Sequence, residues 1–173
     1  VIVFWTRHAL PLLPFLDELD QRGYRYYFQY TLTNYPRLLE QRTPSLEAAL
    51  RSFQALAQKI GKERVIWRYD PIYLSECTSL DFHRHNFQTL AQALRGYSQR
   101  CVVSLFDNYA KSRSRLSITP SLVPLAEGSD SFREAVNALM PDLAAMAEDH
   151  QFELVSCAED VELQPYGIYP GKC

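Results

Sequence analysis

The chain has 173 residues, 47% hydrophobic and 22% charged, with a formal net charge of −2. That composition describes one globular domain and excludes disordered and fibrous classes, and no apolar run is long enough to cross a bilayer. The charge gives the surface as a whole no electrostatic reason to hold nucleic acid or an anionic membrane.

Five short, β-rich apolar runs, at 1–5, 25–32, 64–69, 101–106 and 152–156, alternate with stretches long enough for a helix. After the first run, residues 11–22 predict a short, proline-rich helix. After the second, Leu46, Ala49, Leu50, Phe53, Leu56, Ala57 and Ile60 recur at helical spacing and Gly61 acts as a stop. The next helix opens on a capping-box pattern at 78–81 and carries His83, Phe87, Leu90, Ala91 and Leu94 on one stripe before Gly96. Residues 111–131, rich in Ser, Pro and Arg, form the longest irregular stretch. Phe132, Ala135, Val136, Leu139, Leu143 and Met146 then mark a last helix, with a kink or break expected at Pro141.

Parallel strands need crossover connections, and near-continuous apolar strands such as 101–106 suit a sheet covered on both faces. The fold class is therefore α/β with a parallel sheet. Five units of roughly 35 residues fit either a doubly wound domain or part of an eight-unit barrel. Val1 opens directly on a strand without an initiator Met, and Cys173 stops just after a Gly-Lys turn. Both read as cut edges, so the expectation is a partial TIM-like (β/α) barrel: residues 1–173 as one domain, an internal fragment of a longer one-domain protein. The four cysteines, Cys77, Cys101, Cys157 and Cys173, are scattered, and the start lacks a signal-peptide pattern. A cytoplasmic setting with reduced thiols is expected.

In parallel α/β proteins ligands bind at the carboxyl ends of the strands. Here those ends carry Trp5, Thr6, Arg7 and His8; then Gln29, Tyr30 and Thr31; then Arg68, Tyr69 and Asp70; then Ser104, Asp107, Tyr109 and Lys111; then Cys157 and Glu159. Polar strand ends are commonplace, but five such clusters converging on one rim are not. Alternation puts Ile66, Arg68 and Asp70 on one face of their strand and Val65, Trp67 and Tyr69 on the other. An inward Arg68 suits bidentate binding of a carboxylate or phosphate, with Asp70 orienting it or acting as a base; a purely structural Arg–Asp pair is the equal alternative.

His83 and His85 point about 200° apart on a helix and cannot easily share a metal. His83 alone stands in the first turn of its helix, as a rim residue or as a hydrogen-bonded core histidine. Asp107 and Lys111 straddle Tyr109 and lead into a basic run that meets phosphates or is simply solvated. The aromatic residues within 24–30 read as core rather than a base-stacking platform. Cys157 and Cys173, with Glu159 between them, make a weak soft-metal site that needs ligands from a partner segment. Dinucleotide, P-loop, nucleophile-elbow and zincin motifs are all missing from the sequence.

The strings VIVFWTR, YYFQYTLTNYP, GKERVIWRYDPI, SLFDNYAK and CAED…GIYPGKC together span the chain. They resemble the bacterial domain-of-unknown-function family eighteen forty-eight. The resemblance implies a longer protein with a C-terminal cysteine cluster like that of radical S-adenosylmethionine enzymes, so that a [4Fe–4S] cluster and S-adenosylmethionine are expected cofactors. Their cluster ligands lie outside this chain, which would form the barrel wall. Matching positions are Trp5, Thr6, Gln29, Tyr30, Arg68, Tyr69, Asp70, His83, Ser104, Asp107, Tyr109, Lys111, Cys157, Glu159 and Cys173. After Thr6 the sequence departs from the family pattern, with Arg7, His8 and Ala9 in place of a Lys-Asn-Pro turn.

The leading expectation is thus a radical-type iron–sulfur enzyme. Arg68, Asp70, Asp107 and Lys111 would do the catalytic work of the cavity, and the other matched rim residues would hold cofactor or an unknown small-molecule or nucleotide substrate. The alternatives are a non-catalytic nucleotide or nucleic-acid binding module, which the net charge does not support, and a metal-free barrel hydrolase acting through Asp70 or Glu159.

Overall fold

The computed structural model describes residues 1–106, 120–157 and 161–171. Its strands are β1 (Ile2–Thr6), β2 (Tyr26–Thr31), β3 (Val65–Ile72), β4 (Arg100–Leu105), β5 (Glu153–Ser156) and β6 (Tyr169–Pro170). The helices are α1 (Leu16–Gln21), preceded by a 3-10 turn at Leu10–Phe15, then α2 (Leu46–Ile60), α3 (Leu80–Leu94) and α4 (Asp130–Asp149). All six strands are parallel and lie in chain order, β1-β2-β3-β4-β5-β6. Among the described residues the sheet does not close, since β1 and β6 each keep one unpaired side. The sequence expectation of a barrel is therefore met only as an α/β fold with an open parallel sheet.

Two expectations about element ends change for local reasons. The third strand continues past Tyr69, because the Pro at 71 falls where the β3–β4 register shifts between Tyr69 and Ile72. A proline has no ladder hydrogen bond to lose at such a bulge. Helix α3 is capped by Ser79, whose side chain accepts from the Phe82 amide. Thr78, the expected cap, instead turns its hydroxyl to the Tyr73 carbonyl and to Ser75 Oγ. Replacing Ser79 by Ala should cost about 1 kcal/mol in urea unfolding, and Ser79→Asp should cost almost nothing. A cost at Ser79→Ala indistinguishable from zero would put the cap elsewhere. Helix α4 runs as one element through Pro141, so of the kink or break expected there it shows no break.

The sheet has two unlike faces. Tyr26, Phe28 and Tyr30 of β2, Val65, Trp67 and Tyr69 of β3, and Cys101, Val103 and Leu105 of β4 share one buried core with the apolar stripes of α2, α3 and α4. Ring contacts show the packing directly: Tyr30 meets Phe53 of α2, and Trp67 and Tyr69 both meet Phe87 of α3. All three long helices therefore cover the same side. Burial of a polar tip favours a partner for it: Tyr30 donates to the Ala49 carbonyl at 3.3 Å and the Trp67 indole donates to the Leu32 carbonyl at 3.0 Å, whereas the buried Tyr26 hydroxyl has no hydrogen-bond partner among the described residues. The residues that alternate with these, Trp5, Gln29, Arg68 and Val102, occupy the opposite face, which no described helix packs against.

Candidate functional site

That opposite face is apolar at Val102 and Val155 and polar toward the strand ends. Its centre is Arg68, a guanidinium only 3% exposed. Nε and Nη2 both donate to Asp70 Oδ2, the former at 2.7 Å, while Nη1 donates to Gln29 Oε1. Gln29 is 1% exposed, and parallel pairing with Ile66 sets it beside Arg68. The second Asp70 oxygen accepts from Ser104 Oγ of β4. Alternation along β3 sets Asp70 on the same face as the arginine two residues before it, at the register shift between Tyr69 and Ile72.

Burial by itself would lower the Arg68 pKa, but hydrogen bonding and charge from Asp70, with a further contribution from the Cys157 sulfur, push it above the ordinary value. A buried cation kept charged in this way must stay paired. The guanidinium also lies over an aromatic ring: its Cζ is 4.5 Å from the Trp5 ring centroid. Trp5 is nevertheless 64% exposed, so one side of the indole rests on Arg68 and much of the rest faces outward. The strand ends thus bring together Trp5, Gln29, Arg68, Asp70, Ser104 and Cys157.

Other residues expected on the rim go elsewhere. Thr6 pairs in register with Tyr30 on the helix-covered side, and its hydroxyl accepts from the His8 amide at 3.0 Å, closing the turn after β1. Tyr30, Tyr69 and His83 belong to the helix-covered side, so His83 is not a neighbour of Arg68. Its Nε2 donates to the Tyr73 carbonyl at 3.0 Å, which leaves Nδ1 to accept from Tyr69 Oη at 2.9 Å. Asn86, one turn further along α3, donates to Tyr69 Oη and to the Thr33 carbonyl and accepts from Asn34. Burial lowers the His83 pKa to about 4, only partly offset by the Tyr73 carbonyl, and raises that of Tyr69. Asp107, Tyr109, Lys111, Glu159 and Cys173 lie outside the described residues.

A cavity of about 390 Å³ opens beyond the ends of β1 and β2, a size suited to a small organic ligand. Arg7, Arg37, Glu40, Thr31 and Thr33 supply its polar wall and Tyr35 and Phe82 part of its apolar wall. Arg7 Nη1 donates to Glu40 Oε1 at 2.5 Å, and Thr33 Oγ1 donates to the same oxygen at 2.7 Å. Tyr35 ties this cavity to the β3 bulge, donating to the Pro71 carbonyl at 2.6 Å and accepting from the Tyr73 amide at 3.0 Å. Glu40 escaped the sequence reading because it sits in an irregular loop with no periodicity to place it. Asn86 had a usable signal, one helical turn after His83.

Among the described residues no group of three or more His, Cys, Asp or Glu side chains is placed to hold a metal ion, and no helix is long and apolar enough to cross a membrane. Cys77, Cys101 and Cys157 are free thiols.

Fold and site together define an α/β domain with a sequential, all-parallel sheet and a buried Arg–Asp group at the strand ends of its helix-free face. The chain belongs to the family described as Domain of unknown function (DUF1848), whose profile matches residues 1–173. No curated protein and no solved structure matches it.

Proposed function

We propose that this chain is the ligand-binding wall of a (β/α)-barrel enzyme, with the Arg68–Asp70–Ser104 group and the overlying Trp5 forming its site. The observation that carries this reading is the buried Arg–Asp pair at the carboxyl ends of the strands, on the one face of the sheet that the helices leave uncovered. Sequential strand order with helices on a single side is the arrangement of a barrel wall, whose ligands bind at the carboxyl-terminal rim of the strands. The donors of Arg68 are largely engaged by Asp70 and Gln29, so its role is to hold Trp5, Asp70 and Ser104 in fixed positions. Asp70 and Ser104 are the polar groups we assign to contacts with a ligand lying against Trp5.

The reaction we assign to the parent protein is radical-type chemistry with S-adenosylmethionine and a [4Fe–4S] cluster, which rests on the family resemblance. The described residues do not by themselves fit a cluster: Cys157 stands beside Arg68, with no set of ligands around it. No step is therefore assigned to that group. Free thiols and scattered cysteines agree with a cytoplasmic setting. The test is anaerobic reconstitution of the full-length protein followed by a cofactor-cleavage assay. Cleavage that falls at least tenfold in Trp5→Ala and Ser104→Ala, with the fold intact, is the expected result. A folded protein that binds no cluster and cleaves no cofactor overturns the radical assignment.

A further inference from the structure

We infer that the cavity beyond the ends of β1 and β2 is a second binding site, separate from the Trp5–Arg68 group, and that it takes a small organic carboxylate. The carboxylate pairs with Arg7 and Arg37, and an apolar body lies against Tyr35 and Phe82. None of Trp5, Gln29, Arg68, Asp70, Ser104 or Cys157 lines this cavity, so the inference stands apart from the reading of the rim.

Charge sets the sign of the ligand. Among the described residues the charged side chains of the wall are Arg7, Arg37 and Glu40, which leaves one positive charge in excess. Glu40 is held tightly, its side chain 13% exposed and its Oε1 accepting from Arg7 Nη1 at 2.5 Å and from Thr33 Oγ1 at 2.7 Å. Arg7 Nη1 also reaches Thr33 Oγ1 at 3.4 Å, but Nε and Nη2 donate to no described residue. That free edge is the side-on pair of donors that matches the two oxygens of a carboxylate. The Glu40 contact fixes the guanidinium without consuming this edge. Arg37 gives Nη1 to the Thr43 carbonyl at 2.5 Å and is otherwise exposed, a second cation on the same wall. A monoanion therefore balances the site.

Shape sets the rest of the ligand. The Tyr35 and Phe82 rings lie 6.0 Å apart at 35°, and Leu32, Leu46 and Ala49 extend the apolar side. The volume, about 390 Å³, is at the small end for organic ligands. The wall is also fixed in advance. The Leu32 amide donates to the Arg68 carbonyl at 3.0 Å, Asn86 donates to the Thr33 carbonyl at 2.6 Å and accepts from Asn34 at 2.8 Å, and Tyr35 is tied at both ends of its hydroxyl to the chain at Pro71 and Tyr73. A loop pinned in this way does not have to be ordered when a ligand enters.

The test is calorimetric titration of the full-length protein with benzoate, its uncharged counterpart benzamide, the cation benzylamine, phenyl phosphate, and acetate, which has the anion without the body. Benzoate should bind saturably and about tenfold more tightly than benzamide, because its bonds to the arginines are charge-assisted. Acetate and benzylamine should bind more weakly than benzoate. Arg7→Gln, with its thermal unfolding transition retained, should remove the advantage of benzoate over benzamide. Glu40→Gln keeps an acceptor for Arg7 and Thr33 but removes the negative charge, so benzoate should bind more tightly to it than to wild type. An Arg7–Glu40 pair that only braces the loop predicts no such gain. Equal binding of benzoate and benzamide, tightest binding of benzylamine, or no binding at all overturns the inference. Tighter binding of phenyl phosphate than of benzoate overturns the carboxylate assignment, and benzoate binding unchanged in both variants places it outside this cavity and overturns the site. Each of these failures leaves the reading of Trp5 and Arg68 as it stands.

Discussion

Replacing Arg68 by Ala is expected to destabilise the domain by roughly 3–5 kcal/mol, because it strips a nearly buried carboxylate of its counter-charge. Asp70 has a side chain 16% exposed against 4% for Arg68, so water compensates the carboxylate only in part. The substitution also leaves Gln29 Oε1 without its donor and removes the surface on which Trp5 lies. Removing both charges is a different experiment. In Arg68→Met combined with Asp70→Leu, the desolvation cost of the ions goes along with their attraction, and the double variant should recover most of the loss. Urea unfolding of wild type, both single variants and the double variant gives the coupling directly. A cost below about 1 kcal/mol for Arg68→Ala would mean that the pair behaves as an exposed ion pair, and the account of the site as a rigid anchor would fail with it.

Much of this site could be read from one strand. Period-two alternation alone puts Arg68 and Asp70 together and opposite Trp67 and Tyr69, and the structure has them so. What alternation could not supply was which face the helices take. The stripe of α3 that includes His83 and Phe87 must meet a sheet face rich in large apolar rings, and that is the Trp67 and Tyr69 side. His83 was thereby bound to the core, even though its place near a helix start resembled a rim position. The partners of Arg68 were illegible for another reason. Gln29, Ser104 and Trp5 are tens of residues away in sequence, and only strand register, a non-local property, sets them against the guanidinium. The two-residue β6 is too short to carry any pattern, and it is defined only by pairing of Tyr169 and Pro170 with β5.

The helix-covered side should make the protein acid-sensitive through His83. Burial holds the pKa of this imidazole down to about 4, against 6.5 when exposed. Its Nε2–H is held by the Tyr73 carbonyl, and its Nδ1 lone pair accepts from Tyr69. Protonation at Nδ1 would set a donor against the Tyr69 hydroxyl, which already accepts from Asn86. As pH falls, the unfolded chain takes up the proton first, so stability rises with pH wherever the unfolded state binds more protons. The contribution is fully present above about 6.5 and lost progressively toward about 4. The gap between those two values corresponds to about 3 kcal/mol. The neighbouring Tyr69 and Tyr73, whose pKa values are raised by burial, stay protonated throughout this window and add nothing to it. Glutamine at this position can donate to the Tyr73 carbonyl and accept from Tyr69 without titrating. His83→Gln should therefore flatten the dependence of the urea midpoint on pH between 7.5 and 4.5, leaving the value at pH 7.5 close to wild type and making the variant the more stable of the two at pH 4.5. If the variant loses stability on acidification as steeply as wild type, some other group carries the acid sensitivity.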